Sequence, residues 1–408
     1  MKRTKIILLI IITAGLLLAV YAGKRWYTHE SEVNAKLWAI QTDTDKIAES
    51  LKGKETPFVY RLGKDYLHDM IMGSDKTDYN AYLKLAAGED INLLIVGDSI
   101  SAQDWSAEIA DQIKWNFGAE CNITNLSMGG NTCYAGYVRT MIHADGDYDL
   151  AIICNGQNDS AEDFSIYYEA VIRAILEKNP GVEIIAVIES SQRTYTEKIK
   201  SIIELAEYYE IALADTIAAY DDSEYSYEAL SPDGVHPGEL GKELYVGTVM
   251  DVLFDHVEKN VYKELNFPGK STQESQISDR QKTESIVPAM HPETAVLGKC
   301  SFIPAELFSR IDDKRYSFYI SDFKGVMGIY CARLPGNNYI QFFYNGELIG
   351  EYSEEFNHTF LQEMIFLVDR NIHEISGTID VVFNSTENAE SFRGMAFSCA
   401  EETERGVI

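Results

Sequence analysis

Ile91-Asn92-Leu93-Leu94-Ile95-Val96-Gly97-Asp98-Ser99-Ile100-Ser101 is a short run of largely β-branched and apolar residues that ends abruptly in a glycine, a carboxylate and a serine. A run of this length between turn residues reads as a strand buried on both faces. Similar runs recur at residues 121–126, 150–154, 183–188 and 211–214. Amphipathic stretches at 105–117, 167–177, 197–209 and 240–257 separate or follow them. Strands alternating with helices specify a parallel sheet covered on both faces. The expected module is therefore a three-layer α/β/α sandwich on five parallel strands, over residues 91–262.

The pattern changes on either side of this module. Residues 263–290 are rich in Ser, Gln, Lys and Glu and poor in large apolar groups, which reads as a linker unable to bury a core. Beyond it, residues 291–408 carry short aromatic and β-branched runs at 316–321, 326–333, 339–343, 360–368, 379–383 and 395–399, between Gly, Asn and Asp turns. They predict a small all-β sandwich. Residues 27–90 read as a stalk with lead-in helices. At the N-terminus, Lys2, Arg3 and Lys5 precede an apolar run over residues 6–22, long enough to span a bilayer. Residues 1–26 are expected to be a membrane anchor that leaves the rest of the chain outside the cytoplasm, with a cleaved signal peptide ending near Val20 and Ala22 as the alternative.

Across all 408 residues the formal net charge is −29. Phosphate binding needs clustered Lys and Arg, so a nucleic-acid partner is excluded and a neutral substrate is favoured. The six cysteines, Cys121, Cys133, Cys154, Cys300, Cys331 and Cys399, are far apart and form no Cys-x-x-Cys pair. No zinc site is expected, and small buried hydrophobes are a simpler reading than disulfides, though one bridge stays open.

In open parallel sheets, ligands gather at the carboxyl ends of the strands, so the residues that end each apolar run carry the chemistry. Ser99 follows the first strand and precedes a helix, a place where free backbone N–H groups favour an anion. A serine there is by itself more often a helix cap than a nucleophile. The second run leads into Asn125-Leu126-Ser127-Met128-Gly129-Gly130-Asn131-Thr132, whose glycines let a backbone amide approach a ligand. The third ends in Cys154-Asn155-Gly156-Gln157-Asn158-Asp159, where Asn158 offers a side-chain amide. Ser231-Pro232-Asp233-Gly234-Val235-His236-Pro237 places a carboxylate and an imidazole three residues apart in a Pro- and Gly-bounded loop. That spacing lets Asp233 fix the tautomer of a histidine that deprotonates a nucleophile. Among the eight histidines only His236 has such a setting.

Gly97-Asp98-Ser99, the turn at Gly130, Gly156-Gln157-Asn158-Asp159 and Asp233-Gly234-Val235-His236 occur in the order of the four motif blocks of the SGNH (GDSL-type) hydrolases, and the chain resembles that family over about residues 91–259. The resemblance implies a flavodoxin-like α/β fold, Ser99 as nucleophile, His236 as general base and Asp233 as its partner. It also implies an oxyanion hole from the N–H groups of Ser99 and Gly130 and the amide of Asn158. Asp98 would be structural. The sequence departs from the pattern at Ser127, where many members have glycine, and at Asn131, where Asp is frequent. No Gly-x-Ser-x-Gly elbow is present, so this is not the α/β-hydrolase arrangement.

The expected activity is esterase action on small acyl groups, O-acetyl foremost, on an acylated carbohydrate, with no metal or organic cofactor implied. A carbohydrate O-acyltransferase using the same residues and a catalytically idle glycan-binding protein are the alternatives. The aromatics Tyr339, Phe342, Phe343 and Tyr344 are candidates for sugar stacking, against the commoner reading of core.

Overall fold

The computed structural model describes residues 80–264 and 287–399. The expected anchor at 1–26, nearly all of the stalk and most of the linker lie outside the described residues. Among the described residues no helix is long and apolar enough to cross a membrane.

The elements run α1 (Ala81–Ala87), β1 (Ile91–Gly97), α2 (Trp105–Phe117), β2 (Cys121–Asn125), α3 (Cys133–His143), β3 (Leu150–Cys154), α4 (Phe164–Lys178), β4 (Glu183–Ile188), α5 (Glu197–Tyr209), β5 (Ala212–Asp215), α6 (Thr216–Asp221), α7 (Tyr227–Leu230) and α8 (Glu239–Glu264). A short α9 (Pro292–Ala295) then leads into β6 (Lys299–Pro304), β7 (Ser309–Arg310), β8 (Arg315–Arg333), β9 (Gly336–Tyr344), β10 (Glu347–Phe356), β11 (Gln362–Leu367), β12 (His373–Phe383), α10 (Thr386–Glu390) and β13 (Phe392–Cys399). The chain divides into two units. In the smaller, α1 and the end of α8 pack through Leu83 and Val261, and Asn80 Nδ2 donates to Asn260 Oδ1 at 2.8 Å.

In the larger unit, β1 to β5 form a parallel sheet in the order β2-β1-β3-β4-β5. β3, in the middle, is buried along its whole length, as its unbroken Leu-Ala-Ile-Ile-Cys run requires. The chain leaves β1 for one side of the sheet and later returns to the other. A crevice thus opens at the carboxyl ends of β1 and β3, where the winding reverses.

Helix α3 is absent from the sequence-based reading. Its Gly136 and β-branched residues have weak helix propensity, and tertiary packing overrides that. A Cβ on Gly136 would lie 3.1 Å from both Val96 Cγ1 and Asn155 Oδ1, so the glycine lets the helix settle tightly on β1 and the loop after β3. Asp159 satisfies the otherwise unpaired start of α3 from outside the helix, accepting from Cys133 N at 3.0 Å.

The C-terminal residues form an eight-stranded antiparallel sheet, in the order β10-β9-β12-β8-β13-β6 with β7 and β11 also on β8. Two predicted strands, 316–321 and 326–333, are one long strand, β8. It bends at Asp322, whose φ of 52° is left-handed, opposite a register shift between Ile375 and Gly377. β10 escaped the sequence reading because its Glu-rich sequence is that of a charged edge strand. Phe342 is fully buried in this domain's core and Tyr344 packs against it, so neither is available for stacking on a ligand. All six cysteines are free thiols.

The two modules share a core. Val326, Ile365 and Ala396 of the β domain cluster with Tyr134, Tyr137 and Tyr167 of the α/β module. Each buried aromatic of this kind contributes about 1.5–3 kcal/mol by area. At Gly328 a Cβ would come within 2.4 Å of the Tyr134 ring. Tyr137 Oη donates to Leu297 O at 2.6 Å. On re-entry after the linker, the His291 N–H donates at 2.9 Å to the buried Glu169 carboxylate, which also accepts from Met290 N and Tyr209 Oη.

Candidate active site

Gly97 lies where β1 gives way to a turn. A Cβ there would fall 1.9 Å from Ser101 Oγ and 2.3 Å from Cys154 O, so only glycine permits the chain to fold back this sharply. Asp98 then ties the turn: its N–H donates to Cys154 O at 3.1 Å and its Oδ1 accepts from Ile100 N at 2.9 Å. Asp98 is buried and structural, and Ser99, half-buried, projects from the turn's apex into the crevice. The helix that follows begins at Trp105, where the hydrophobic pattern places it. The free N–H groups near Ser99 accordingly belong to the turn rather than to the first turn of α2.

His236 reaches this serine from the loop between α7 and α8, with Nε2 2.8 Å from Ser99 Oγ. Its Nδ1 lies 2.7 Å from Asp233 Oδ2. The other oxygen of Asp233 accepts from the backbone N–H groups of Val235 at 2.9 Å and His236 at 2.7 Å. One carboxylate therefore both shapes the loop and orients the imidazole. The hydrogen bond from His236, followed by that from Val235 N, holds the Asp233 carboxyl down at about 2. Gly234 supplies the left-handed φ of 81° that lets three residues span the turn.

The glycine turn after β2 packs against the same serine. A Cβ on Gly129 would lie 3.6 Å from Ser99 Cβ, and Gly130 takes the left-handed φ of 71°. Asn158 arrives from the loop after β3. One of its amide hydrogens goes to Asn131 O at 2.9 Å; the other has only Asp98 Oδ2 at 3.4 Å, a long contact that a better acceptor displaces. Ser99, Asp233, His236, Gly130 and Asn158, which lie in four separate segments of the chain, are thus gathered in one crevice.

Both departures from the family pattern acquire local reasons. Ser127 Oγ donates to Ser101 Oγ at 2.9 Å, stitching the glycine turn to the serine turn. Asn131, buried, donates through Nδ2 to Gly129 O at 3.0 Å and to Glu363 O of β11 at 3.1 Å, and accepts through Oδ1 from Ile365 N at 2.8 Å. An aspartate has no N–H to give those two carbonyls.

Beneath the crevice lie groups that sequence reasoning missed. Glu189 follows β4 and is fully buried; burial, and then the neighbouring Asp98 charge, raise its pKa well above the ordinary range, which favours its protonated form. Burial pushes Asp98 and Asp159 up to about 6. The strand-end rule that selected Ser99 and Asn158 applies equally to Glu189. Gln362 and Arg333, which approach the glycine turn from the β domain, carry no such signal.

No protein-family model matches the chain, and no curated protein matches it. Among solved structures, it is similar to a two-domain esterase active on acetylated mannans, with 14% identity and a TM-score of 0.59 over 79% of this chain and 94% of that one. The same esterase co-crystallised with mannopentaose matches with 14% identity and a TM-score of 0.56 over the same shares. At this identity the likeness is one of fold, and it extends over both modules. What is shared is the architecture of an α/β module on a parallel sheet followed by an antiparallel β domain.

Proposed function

We propose that this chain is a serine esterase that releases small acyl groups, acetyl foremost, from carbohydrate. The observation that carries the reading is the continuous line from Ser99 Oγ through both nitrogens of His236 to Asp233, at 2.8 and 2.7 Å, in the crevice of a parallel sheet. In this reading His236 Nε2 takes the Ser99 proton as Oγ forms a bond to the ester carbonyl carbon. The tetrahedral oxyanion is met by the N–H groups of Ser99 and Gly130 and the freed hydrogen of Asn158. His236 returns the proton to the departing sugar oxygen, then takes one from water as it attacks the acyl-enzyme, and gives that proton to Ser99 Oγ as the bond from Oγ to the acyl carbon breaks and the acid leaves. The His236 and Asp233 side chains are 36% and 57% exposed, which gives water the access that hydrolysis needs.

Carbohydrate is supported by the activity of the structural neighbour on acetylated mannans and by the net charge of −29, which disfavours anionic polymers. The charged and apolar N-terminal segment supports an extracytoplasmic site, tethered through residues 1–26. Full-length protein in detergent and its Ser99→Ala variant are the test, with acetate release from a chromogenic acetyl ester and from acetylated mannan as the readout. Loss of at least ~10³-fold in the variant is expected. Equal rates would end the esterase reading, and turnover appearing only with an added sugar acceptor would convert it to transfer. Intact expressing cells are expected to deacetylate a polymer that cannot enter them; activity only after lysis would overturn the location.

A further inference from the structure

The glycine turn is held from outside its own module. Gln362, the first residue of β11, donates through Nε2 to Gly129 O at 2.5 Å. A Cβ on Gly130 would lie 2.7 Å from that same Nε2 and 2.8 Å from Arg333 Nη2. Arg333 in turn donates through Nη2 to Gln362 Oε1 and through Nη1 to both oxygens of Glu354 at 2.7 Å, and its guanidinium lies 4.5 Å from the centre of the Phe356 ring. With Oε1 taken by a group that only donates, the amide of Gln362 has one orientation left, with its N–H groups toward Gly129.

The Gly129 carbonyl and the Gly130 N–H belong to one planar peptide and point in opposite directions. Between two glycines such a peptide rotates at little steric cost. Anchoring its oxygen therefore anchors its hydrogen. We propose that Gln362 is a positioning residue that fixes the Gly129–Gly130 peptide with the Gly130 N–H toward the oxyanion, and that Arg333 sets Gln362 in its donating orientation. The β domain is then part of the machinery that stabilises the transition state. This rests on the esterase reading above.

Gln362→Glu in the full-length protein keeps the size of the side chain and its contact with Arg333 but removes the N–H donor. Its kcat on the acetyl ester is expected to fall about 10- to 100-fold, less than loss of a direct oxyanion donor, with KM within about twofold and the melting temperature retained. Inactivation by a serine-directed phosphonate, whose oxygen enters the same hole, should slow by a similar factor. Gln362→Met removes the donor without a like-charge contact and should give the same split, which covers the case in which the glutamate variant fails to fold. Unchanged kcat and inactivation rate in either folded variant, while Ser99→Ala is inactive, would overturn the positioning role and leave the esterase reading standing. Full activity in Ser99→Ala would remove that reading first.

Discussion

Two loops meet at Ser99, and they are held in opposite ways. The one carrying Asp233 and His236 closes on itself: its carboxylate accepts from the backbone of Val235 and His236, and Gly234 N donates back to Ser231 O at 2.9 Å. The Gly129–Asn131 turn instead draws on β11, through Gln362, Glu363 and Ile365. In the proposed mechanism, proton transfer is organised locally, whereas the Gly130 N–H that meets the oxyanion depends on a second module more than 200 residues away in sequence. Damage to the first loop should change chemistry alone; loss of Asn131, which bonds both Gly129 and β11, should change chemistry and module docking together.

The largest effect expected from this contrast is at Asp233. Asp233→Asn leaves the loop an acceptor but orients the imidazole in the wrong tautomer, so kcat is expected to fall by ~10³ to 10⁴ while the melting temperature stays within a degree or two of the parent, on the order of an unperturbed surface change. A comparable loss of stability would mean that the two loops are not mechanically distinct. Asn131→Asp tests the other side, taking the side-chain donor from Glu363 O and leaving Gly129 O with Gln362 alone, around a buried residue. It should lower stability by about 1–3 kcal/mol, read by urea denaturation, and reduce kcat as well; a loss of kcat at full stability would contradict the coupling.

The smallest effect concerns pH. Burial raises Asp159 to about 6 from an ordinary 3.8, so the folded chain holds a proton there that the unfolded chain has released. Stability from this group is full below pH ~4 and declines as pH rises toward about 6. Asp233, held at about 2, has the opposite sign: its contribution is present above pH ~4 and is lost only as pH falls toward 2. Asp159→Asn keeps an acceptor for Cys133 N and should flatten the decline of melting temperature between pH 4 and 6. An unchanged slope would assign that decline to other groups.

The parallel module was legible because its signals are local. β3, β4, α2 and α5 run between the residues at which the hydrophobic pattern places them, and the serine, the histidine and their partners stand at strand ends or in a turn-bounded loop. What escaped depends on distant contacts. α3 is helical because Gly136 fits against Val96, and β8 is one strand because its partner strand absorbs the bend at Asp322. Gln362 looks like any polar residue starting a strand, and its significance appears only once the modules are joined. Asn131 read as a small deviation from a motif and proves to be the residue that receives β11.

The approach of Gly328 to Tyr134 leaves no room for even a methyl group at the seam. A β domain grafted from another protein would have to present a bare backbone at that spot and a glutamine one strand away. The two modules are consequently poor candidates for exchange as independent cassettes, and a working chimera would have to inherit both sides of the contact at once.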